Sequence, residues 1–422
     1  MIIEAEVEDV IKNLKKNKAP GPVQIINEFL KDYRSTLIRP LTKIFNMILE
    51  TEEIPIQWKI SEIILLFKKG SKKEIENYRP ISLSSNIYKI FMKIVKNRIY
   101  NQLDLNQGIE QAGFRRNQST IDHLQAINQV IETALEYQME THMLFIDFHK
   151  AFDSVEHEYL WKGLKKQGIP LKLINILRST YENSKAYIKL EKEGETFEIG
   201  RGVKQGDPLS PNLFNSIIEE LVKSLQWENE GIKINGRFLN NLRFADDIIL
   251  LSSNKESLEK MGEELMSESE KGGLEMNKKK TKYMSYRKTG SQEKFKINGT
   301  EIEEVSEYDY LGQTVAFRDR MDKELKKRTS KAWGKFWSLN KVFKNRKLGL
   351  KLKIKMLESC VLPVLSYGSQ TWSLTKEQTV KLQKTQRAME RRILGIKLRD
   401  KVSKRNIRET TQSRDIGVTI KN

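Results

Sequence analysis

Apolar residues Val7, Val10, Ile11 and Leu14 recur at helical spacing and predict an N-terminal helix, which breaks at Lys18-Ala19-Pro20-Gly21-Pro22. A second helix is predicted from Ile25 to Glu50. Ile60 to Phe67 (ISEIILLF) is short and β-branched, and Lys68-Lys69-Gly70-Ser71 closes it, so a strand followed by a basic loop is expected. Residues 118–140 read as helical, and Met143-Leu144-Phe145-Ile146 predicts a buried strand with Asp147 at its end. Leu242 to Leu251 (LRFADDIILL) sets apolar flanks about an acidic pair, the form of a tight β-hairpin turning at Ala245-Asp246-Asp247. Past residue 321 the pattern is almost wholly helical. Leu325, Ala332, Trp333, Phe336 and Trp337 form one stripe, which reads as core before it reads as a base-stacking platform; Ile354, Leu357, Val361 and Leu365 form another. Thr375 with Gln378 is a capping-box pattern that starts a third helix, with Lys384, Arg387 and Arg391 on one face.

Length and charge narrow this picture. A chain of 422 residues exceeds the roughly 250–300 at which one core stops growing, so two or three lobes are expected. No repeat of about 20–50 residues and no low-complexity tract is present. Only 38% of residues are hydrophobic, and no apolar run approaches the roughly 18 residues of a membrane span. With no signal-peptide pattern either, no membrane partner and an intracellular place, nucleus or cytoplasm, are expected. Cys360 is the sole cysteine, which excludes an internal disulfide, a zinc knuckle and a thiolate cluster. The formal charge is +19, and residues 321–422 carry all of the excess, with 27 of the 75 Lys+Arg but 8 of the 56 Asp+Glu. A solvated charged face is the plain alternative, yet such faces mix signs; this one points to a polyanion such as nucleic acid.

Adjacent acids at an apolar turn need a reason. Like charges there repel unless a cation sits between them, although an ordinary Asp-rich turn is the alternative. The segment MLFIDFHKAFDSV supplies a third acid, Asp147, at a strand end. If the two segments pair in one sheet, Asp147 and Asp246 meet at the same end. Mg²⁺ takes hard oxygen ligands, few of them from protein, and two such ions about 3.5–4 Å apart serve in-line phosphoryl displacement. That chemistry is nucleotidyl transfer. An EF-hand loop, a P-loop Gly-Lys-Ser/Thr and a His-Glu-x-x-His helix are all missing from the sequence.

The order of motifs resembles reverse transcriptases, in particular those of non-LTR retrotransposons of the LINE-like, endonuclease-carrying type, over nearly the whole chain. The motifs are Asn77-Tyr78-Arg79-Pro80-Ile81-Ser82-Leu83, Gln111-Ala112-Gly113-Phe114-Arg115 with Ser119-Thr120, and FIDFHKAFDSV; then Gly202 to Pro211, Phe244-Ala245-Asp246-Asp247, Asn277 with Lys280-Thr281, and Tyr310-Leu311-Gly312. The resemblance implies an α/β (α+β) right-hand polymerase with fingers, an antiparallel-sheet palm and a helical thumb. It places the N-terminal extension and fingers at 1–141, the palm at 142–320, the basic thumb at 321–398 and a truncated tail at 399–422.

It also implies roles. Asp147, Asp246 and Asp247 would be catalytic and hold two Mg²⁺ ions, with Mn²⁺ as a substitute; Asp247 is the partly structural one. Phe152 stands where the family has an aromatic ring that rejects a 2′-hydroxyl; a core Phe at a strand-to-helix junction is the alternative. Gln205 and Gly206 would let the backbone approach the incoming base pair, since Gly has no Cβ. Arg79 with Lys68 would neutralise the triphosphate, and Lys280 would lie near the leaving pyrophosphate, unless Lys278 to Lys282 is only a solvated turn. Arg115, Lys384, Arg387 and Arg391 are the implied template and primer contacts.

The activity so implied is RNA-directed DNA polymerisation, adding dNTPs to a primer 3′-end with an RNA template, in an RNA–DNA duplex. Val23 after Pro22 departs from the family's Asp and removes an N-cap, which predicts a looser N-terminal segment. Ser369 replaces a common Cys in Tyr367 to Trp372. The upstream endonuclease is missing and the chain stops early, so a fragment or truncated copy is expected, with nicking supplied by a missing domain or another protein. A catalytically inactive nucleic-acid-binding remnant and a group II intron maturase-like enzyme are the rivals. Phe152 argues against an RNA-dependent RNA polymerase.

Overall fold

The computed structural model describes residues 1–234, 236–287 and 294–421. They divide into two compact units, the first drawn from Met1–Gln118, His142–Tyr283 and Gln292–Glu303, the second from Ser119–Thr141, Met284–Ser291 and Glu304–Asn422. This differs from the expected four-part division: the helix before Asp147 and the residues from 304 to 320 group with the C-terminal unit, because a sequence pattern shows an element's buried face but not what covers it.

In the first unit, helices α1 (Glu4–Lys12), α2 (Asn27–Asp32) and α3 (Arg34–Thr51) open the chain, with Val7, Val10 and Ile11 of α1 buried. The single helix expected over 25–50 is two. Tyr33, at φ −97° and ψ 23°, leaves the helical region and separates them. Nor is the start loose: Asn27 Nδ2 donates to the Lys15 carbonyl at 2.8 Å and Lys31 Nζ to that of Leu14 at 3.0 Å, which ties the segment down without a cap.

A short helix α4 (Ile56–Lys59) leads into β1 (Ile60–Phe67), which is the predicted strand. It pairs antiparallel with β2 (Tyr78–Leu83), setting Leu66 opposite Arg79 and Phe67 opposite Tyr78. Helix α5 (Asn86–Leu105) follows and buries Tyr88, Phe91, Ile94 and Val95. Helix α6 (Thr120–Glu136), capped by Ser119, belongs to the second unit.

Strand β3 (Thr141–Ile146) is buried at every position, as its unbroken apolar run requires. Three helices, α7 (Ala151–Ser154), α8 (His157–Lys166) and α9 (Leu171–Tyr181), follow. Then β4 (Lys185–Ile188) pairs parallel to β1 and antiparallel to β5 (Phe197–Glu198). Helix α10 (Ser210–Lys223) precedes a small hairpin, β6 (Ile232–Ile234) with β7 (Arg237–Leu239). Strands β8 (Asn241–Phe244) and β9 (Asp247–Ser252) form the acidic hairpin, and β9 pairs antiparallel with β3. Helix α11 (Lys255–Lys271) covers this sheet, burying Leu258, Met261 and Leu265.

The second unit carries the hairpin Tyr308–Tyr310 with Gln313–Val315 and then helices. Long helices over Arg320–Ser338 and Lys376–Leu394 bury Leu325, Ala332, Phe336, Leu382 and Met389 in its core. Thr375 caps the second of them with Gln378, as its sequence predicts. Between them lies a wide turn at Leu357–Val361, where the Leu362 N–H reaches back five residues to the Leu357 carbonyl; Pro363 removes a donor immediately beyond. Trp333 and Trp337 stack on each other, and Trp337 is exposed, so only part of the aromatic stripe is core. Ile407 and Ile416 are buried, in helices Lys404–Thr411 and Ile416–Lys421. No helix among the described residues is long and apolar enough to cross a membrane.

Candidate active site

The strand register brings the acids together. Ile146 of β3 lies opposite Ile248 of β9, so the next positions put Asp147 beside the β8–β9 turn. Phe244 pairs with Asp247, which makes the turn two residues, Ala245-Asp246, with Asp247 opening β9. The expected three-residue turn is thus one shorter, and Ala245 sits at φ +58°.

The segment before α6 holds that turn. The Arg243 N–H donates to the Glu110 carbonyl (2.8 Å) and the Ala112 N–H to that of Arg243 (3.0 Å), which adds residues 110–112 to the edge of β8. Gln111 Oε1 accepts from the N–H groups of Ala245 (3.1 Å) and Gly113 (2.8 Å). A Cβ on Gly113 would lie 2.4 Å from the Ala245 nitrogen, so only glycine allows this approach. Behind the turn, the buried Arg243 pairs with Glu219 at 3.0 Å. On the other side, the Asp147 carbonyl accepts from the Asn277 N–H (2.7 Å) and its N–H donates to Thr281 Oγ1 (3.4 Å).

Burial pushes the Asp246 carboxyl up; Asp147 adds to this, while its own backbone hydrogen bond, Lys68 and Arg79 oppose it. Asp247 is pushed up to about 6 by desolvation and then by Asp246 and Asp147. Its side chain still meets solvent, which screens part of that effect. Asp147 Oδ2 is buried with no hydrogen-bond partner, and Lys280 Nζ stands 3.5 Å from it. A buried carboxylate oxygen with no hydrogen bond and one long ion pair, beside two mutually repelling acids, fits a hard cation. Among the described residues no three His, Cys, Asp or Glu side chains converge into a ready-made cage. A Mg²⁺ that draws most of its ligands from water and phosphate needs none.

The remaining expected residues divide into those at this end and those elsewhere. Lys68 closes β1 and Arg79 stands in β2, and the charge of each acts on Asp246. Phe152 stacks on Phe214 at 4.4 Å and meets Phe114 edge-on at 6.0 Å, a half-packed ring held flat. Gln205 Nε2 donates to Asp153 Oδ1 (2.9 Å), and its carbonyl accepts from the Ser82 N–H of β2 (2.7 Å). Gly206, at φ +116°, would place a Cβ 2.6 Å from the Ser82 carbonyl oxygen, so its glycine serves this contact within the chain.

Two template and primer expectations are corrected. Arg387 is buried, with ion pairs to Glu390 and to Asp415 (2.6 Å), and has no face to offer a phosphate. Arg115 spends its guanidinium on Asp104 (2.9 Å) and on the Gly108 and Gln111 carbonyls, fixing the chain before α6. Lys384 is exposed and Arg391 half-buried, so the expected three-residue face is interrupted at its middle.

Sequence reasoning missed a buried lysine in the 202–211 motif. The Lys204 ammonium lies over the rings of Tyr88 (5.6 Å) and Tyr181 (5.5 Å) and donates to the Thr180 carbonyl at 3.0 Å. Burial lowers it to about 8, against the pull of buried Asp207. No spacing signals it, since Thr180 and Tyr88 come from distant segments. The roles of Gln111 and Gly113 as buttresses of the acidic turn were also missed, although both lie in a motif the sequence displays.

Residues 68–315 match the family described as reverse transcriptase (RNA-dependent DNA polymerase). The chain is 29% identical over 87% of its length to a probable RNA-directed DNA polymerase from transposon BS of Drosophila melanogaster, covering 42% of that protein. It is 26% identical over 97% of its length to a probable RNA-directed DNA polymerase from transposon X-element of the same species, covering 45%. The RNA-directed DNA polymerase from mobile element jockey, also of Drosophila melanogaster, is 25% identical over 92% of the chain, which spans 43% of it. The chain therefore spans less than half the length of these relatives. Among solved structures, apo telomerase from Candida tropicalis aligns with 91% of this chain and 68% of its own at TM-score 0.46 and 13% identity, too distant to argue from. With more than half of its residues matched to that family, and the three acids of its motifs gathered at one sheet end, the chain belongs to the reverse transcriptases.

Proposed function

We propose that this chain is the polymerase part of a non-LTR retrotransposon protein, adding dNTPs to a primer 3′-end by two-metal nucleotidyl transfer on an RNA template, and on DNA templates as well. The observation that carries the proposal is the grouping of Asp147, Asp246 and Asp247, with the buried Asp147 oxygen lacking a hydrogen bond. Asp147 and Asp246 would hold two Mg²⁺ ions, for which Mn²⁺ substitutes, with Asp247 beside them; the bound ions would activate the primer hydroxyl and stabilise the leaving pyrophosphate. Lys68 and Arg79 would neutralise the triphosphate from the β1–β2 side, and Lys280 would receive the pyrophosphate. Phe152, fixed between two rings, would lie under the sugar and reject a 2′-hydroxyl. Gln205 and Gly206 would place the backbone beside the new base pair, and exposed Lys384 and half-buried Arg391 would meet the duplex phosphates. The protein would work in the nucleus.

Primer extension on poly(rA)/oligo(dT) with Mg²⁺ tests this, beside an Asp246→Asn, Asp247→Asn control. Extension lost in the control supports the proposal; binding without extension by the unmodified chain favours the inactive remnant.

A further inference from the structure

We infer that Lys204 is a positioning residue for the incoming dNTP, whose proton sets how firmly the Gln205-Gly206 backbone is seated; the inference rests on the polymerase reading above. The backbone on either side of Lys204 is fastened to parts of the site that would meet the nucleotide. The Val203 N–H donates to the Phe152 carbonyl at 2.7 Å, and the Gln205 carbonyl accepts from the Ser82 N–H of β2 at 2.7 Å. Between these ties the Lys204 side chain is buried. Its ammonium donates to the Thr180 carbonyl near the end of α9 and lies over the rings of Tyr88 from α5 and Tyr181 from α9. The Asp207 N–H donates to the Lys204 carbonyl at 3.1 Å and closes the turn. Lys204 is thus a side-chain anchor for a loop otherwise held by its backbone.

The anchor is only partly satisfied. Asp207 Oδ1 accepts from the Leu209 N–H at 2.8 Å, but its Oδ2 and the Tyr88 hydroxyl are buried without a hydrogen bond. A partly satisfied buried network holds weakly, because its desolvated groups lack the partners that water would give them. The groups facing the ammonium are Tyr88, Tyr181, Asp207 and Lys59 of α4, while Lys89 and Lys96 of α5 share the charge of Asp207. Burial outweighs the pull of Asp207, with Lys59 adding to it, and brings the amine from an ordinary 10.5 to about 8. An unseated Lys204 would meet water and hold its proton more tightly, so seating is favoured as pH rises through about 8. A dNTP that needs the seated loop must therefore release part of that proton as it binds. An unbranched apolar chain would fill the same space at every pH, with no charge to bury.

The test measures KM for dTTP on poly(rA)/oligo(dT) with the full chain, from about pH 7 to about pH 9, beside Lys204→Met. Titration of the nucleotide and of the primer is common to both proteins, so the ratio of parent KM to variant KM isolates Lys204. That ratio should fall by about fivefold across the range, with the kcat ratio unchanged. Asp207→Asn keeps the acceptor for the Leu209 N–H but removes the charge that favours the ammonium, so the fall in its KM should move to lower pH. This second variant keeps the test readable if Lys204→Met unfolds. A KM ratio that stays flat with pH, a pH effect confined to kcat, or a KM that bends at the same pH in parent and Asp207→Asn overturns the inference. A parent that extends no primer at any pH sinks the polymerase reading and this inference with it, whereas a flat ratio in an active parent sinks the inference alone.

Discussion

Asp147, Asp246 and Asp247 repel one another at one sheet end, and Lys68, Arg79 and Lys280 offset only part of that charge. The consequence is a pH dependence of definite sign. Asp247 has an ordinary value of 3.8 and is raised to about 6 in the fold, so the folded state holds its proton more tightly. Ionisation therefore weakens the metal-free fold as pH rises through that window, by about 1 kcal/mol once solvent screening is allowed for. In thermal denaturation, Asp247→Asn should flatten the fall in Tm between pH 4 and 6, and Mg²⁺ at neutral pH should stabilise the parent more than the variant. Equal pH slopes would contradict this. Phe152→Ala should admit ribonucleotides, raising rNTP incorporation about tenfold or more relative to dNTP; unchanged selectivity removes the gate assignment. The acids were legible because each interrupts an apolar run, where no packing role suits a carboxylate. Arg387 was not, because helical spacing reveals a face but not that Asp415, 28 residues on, covers it.

At the scale of elements, the loop from Gly202 to Asp207 joins the segment after Asp147 to the β1–β2 hairpin. The Gly202 and Val203 N–H groups donate to the Val155 and Phe152 carbonyls, and the Ser82 N–H donates to that of Gln205. Gly206→Ala forces its Cβ against the Ser82 carbonyl and demands a positive φ, so it should cost about 1–3 kcal/mol and raise KM for dNTP more than it lowers duplex affinity. A fall in duplex affinity with KM unchanged would contradict that. Arg387→Met leaves Glu390 buried without its cation and Asp415 with only Arg408 at 3.8 Å, and should cost about 3–5 kcal/mol in denaturant unfolding. A variant as stable as the parent but weaker on nucleic acid would restore the discarded phosphate role. Strand β1 and the acidic hairpin were readable because their apolar runs are short and end at turn residues. The break at Tyr33 was hidden, since Tyr33 is an ordinary helix residue and tertiary context sets its backbone. The turn's length was hidden as well, because pairing of Phe244 with Asp247 is a matter of register.

Across the whole molecule, two units share the labour unevenly. The first carries the acids and the loop from Gly202 to Asp207, and the C-terminal residues from 321 onward carry the +19. Charge placed in this way suits a chain that grips phosphates without reading sequence. Motif order made the family legible, whereas domain limits were not, since assigning α6 to the second unit depends on contacts across long stretches of chain. The most direct test of the central claim is single-turnover incorporation of dTTP on poly(rA)/oligo(dT) with Mg²⁺, comparing the parent with Asp147→Asn. Loss of a metal ligand should slow incorporation by about a thousandfold while primer–template affinity stays the same. A variant that incorporates dTTP at the parent's rate would contradict the assignment of these carboxylates as the catalytic centre.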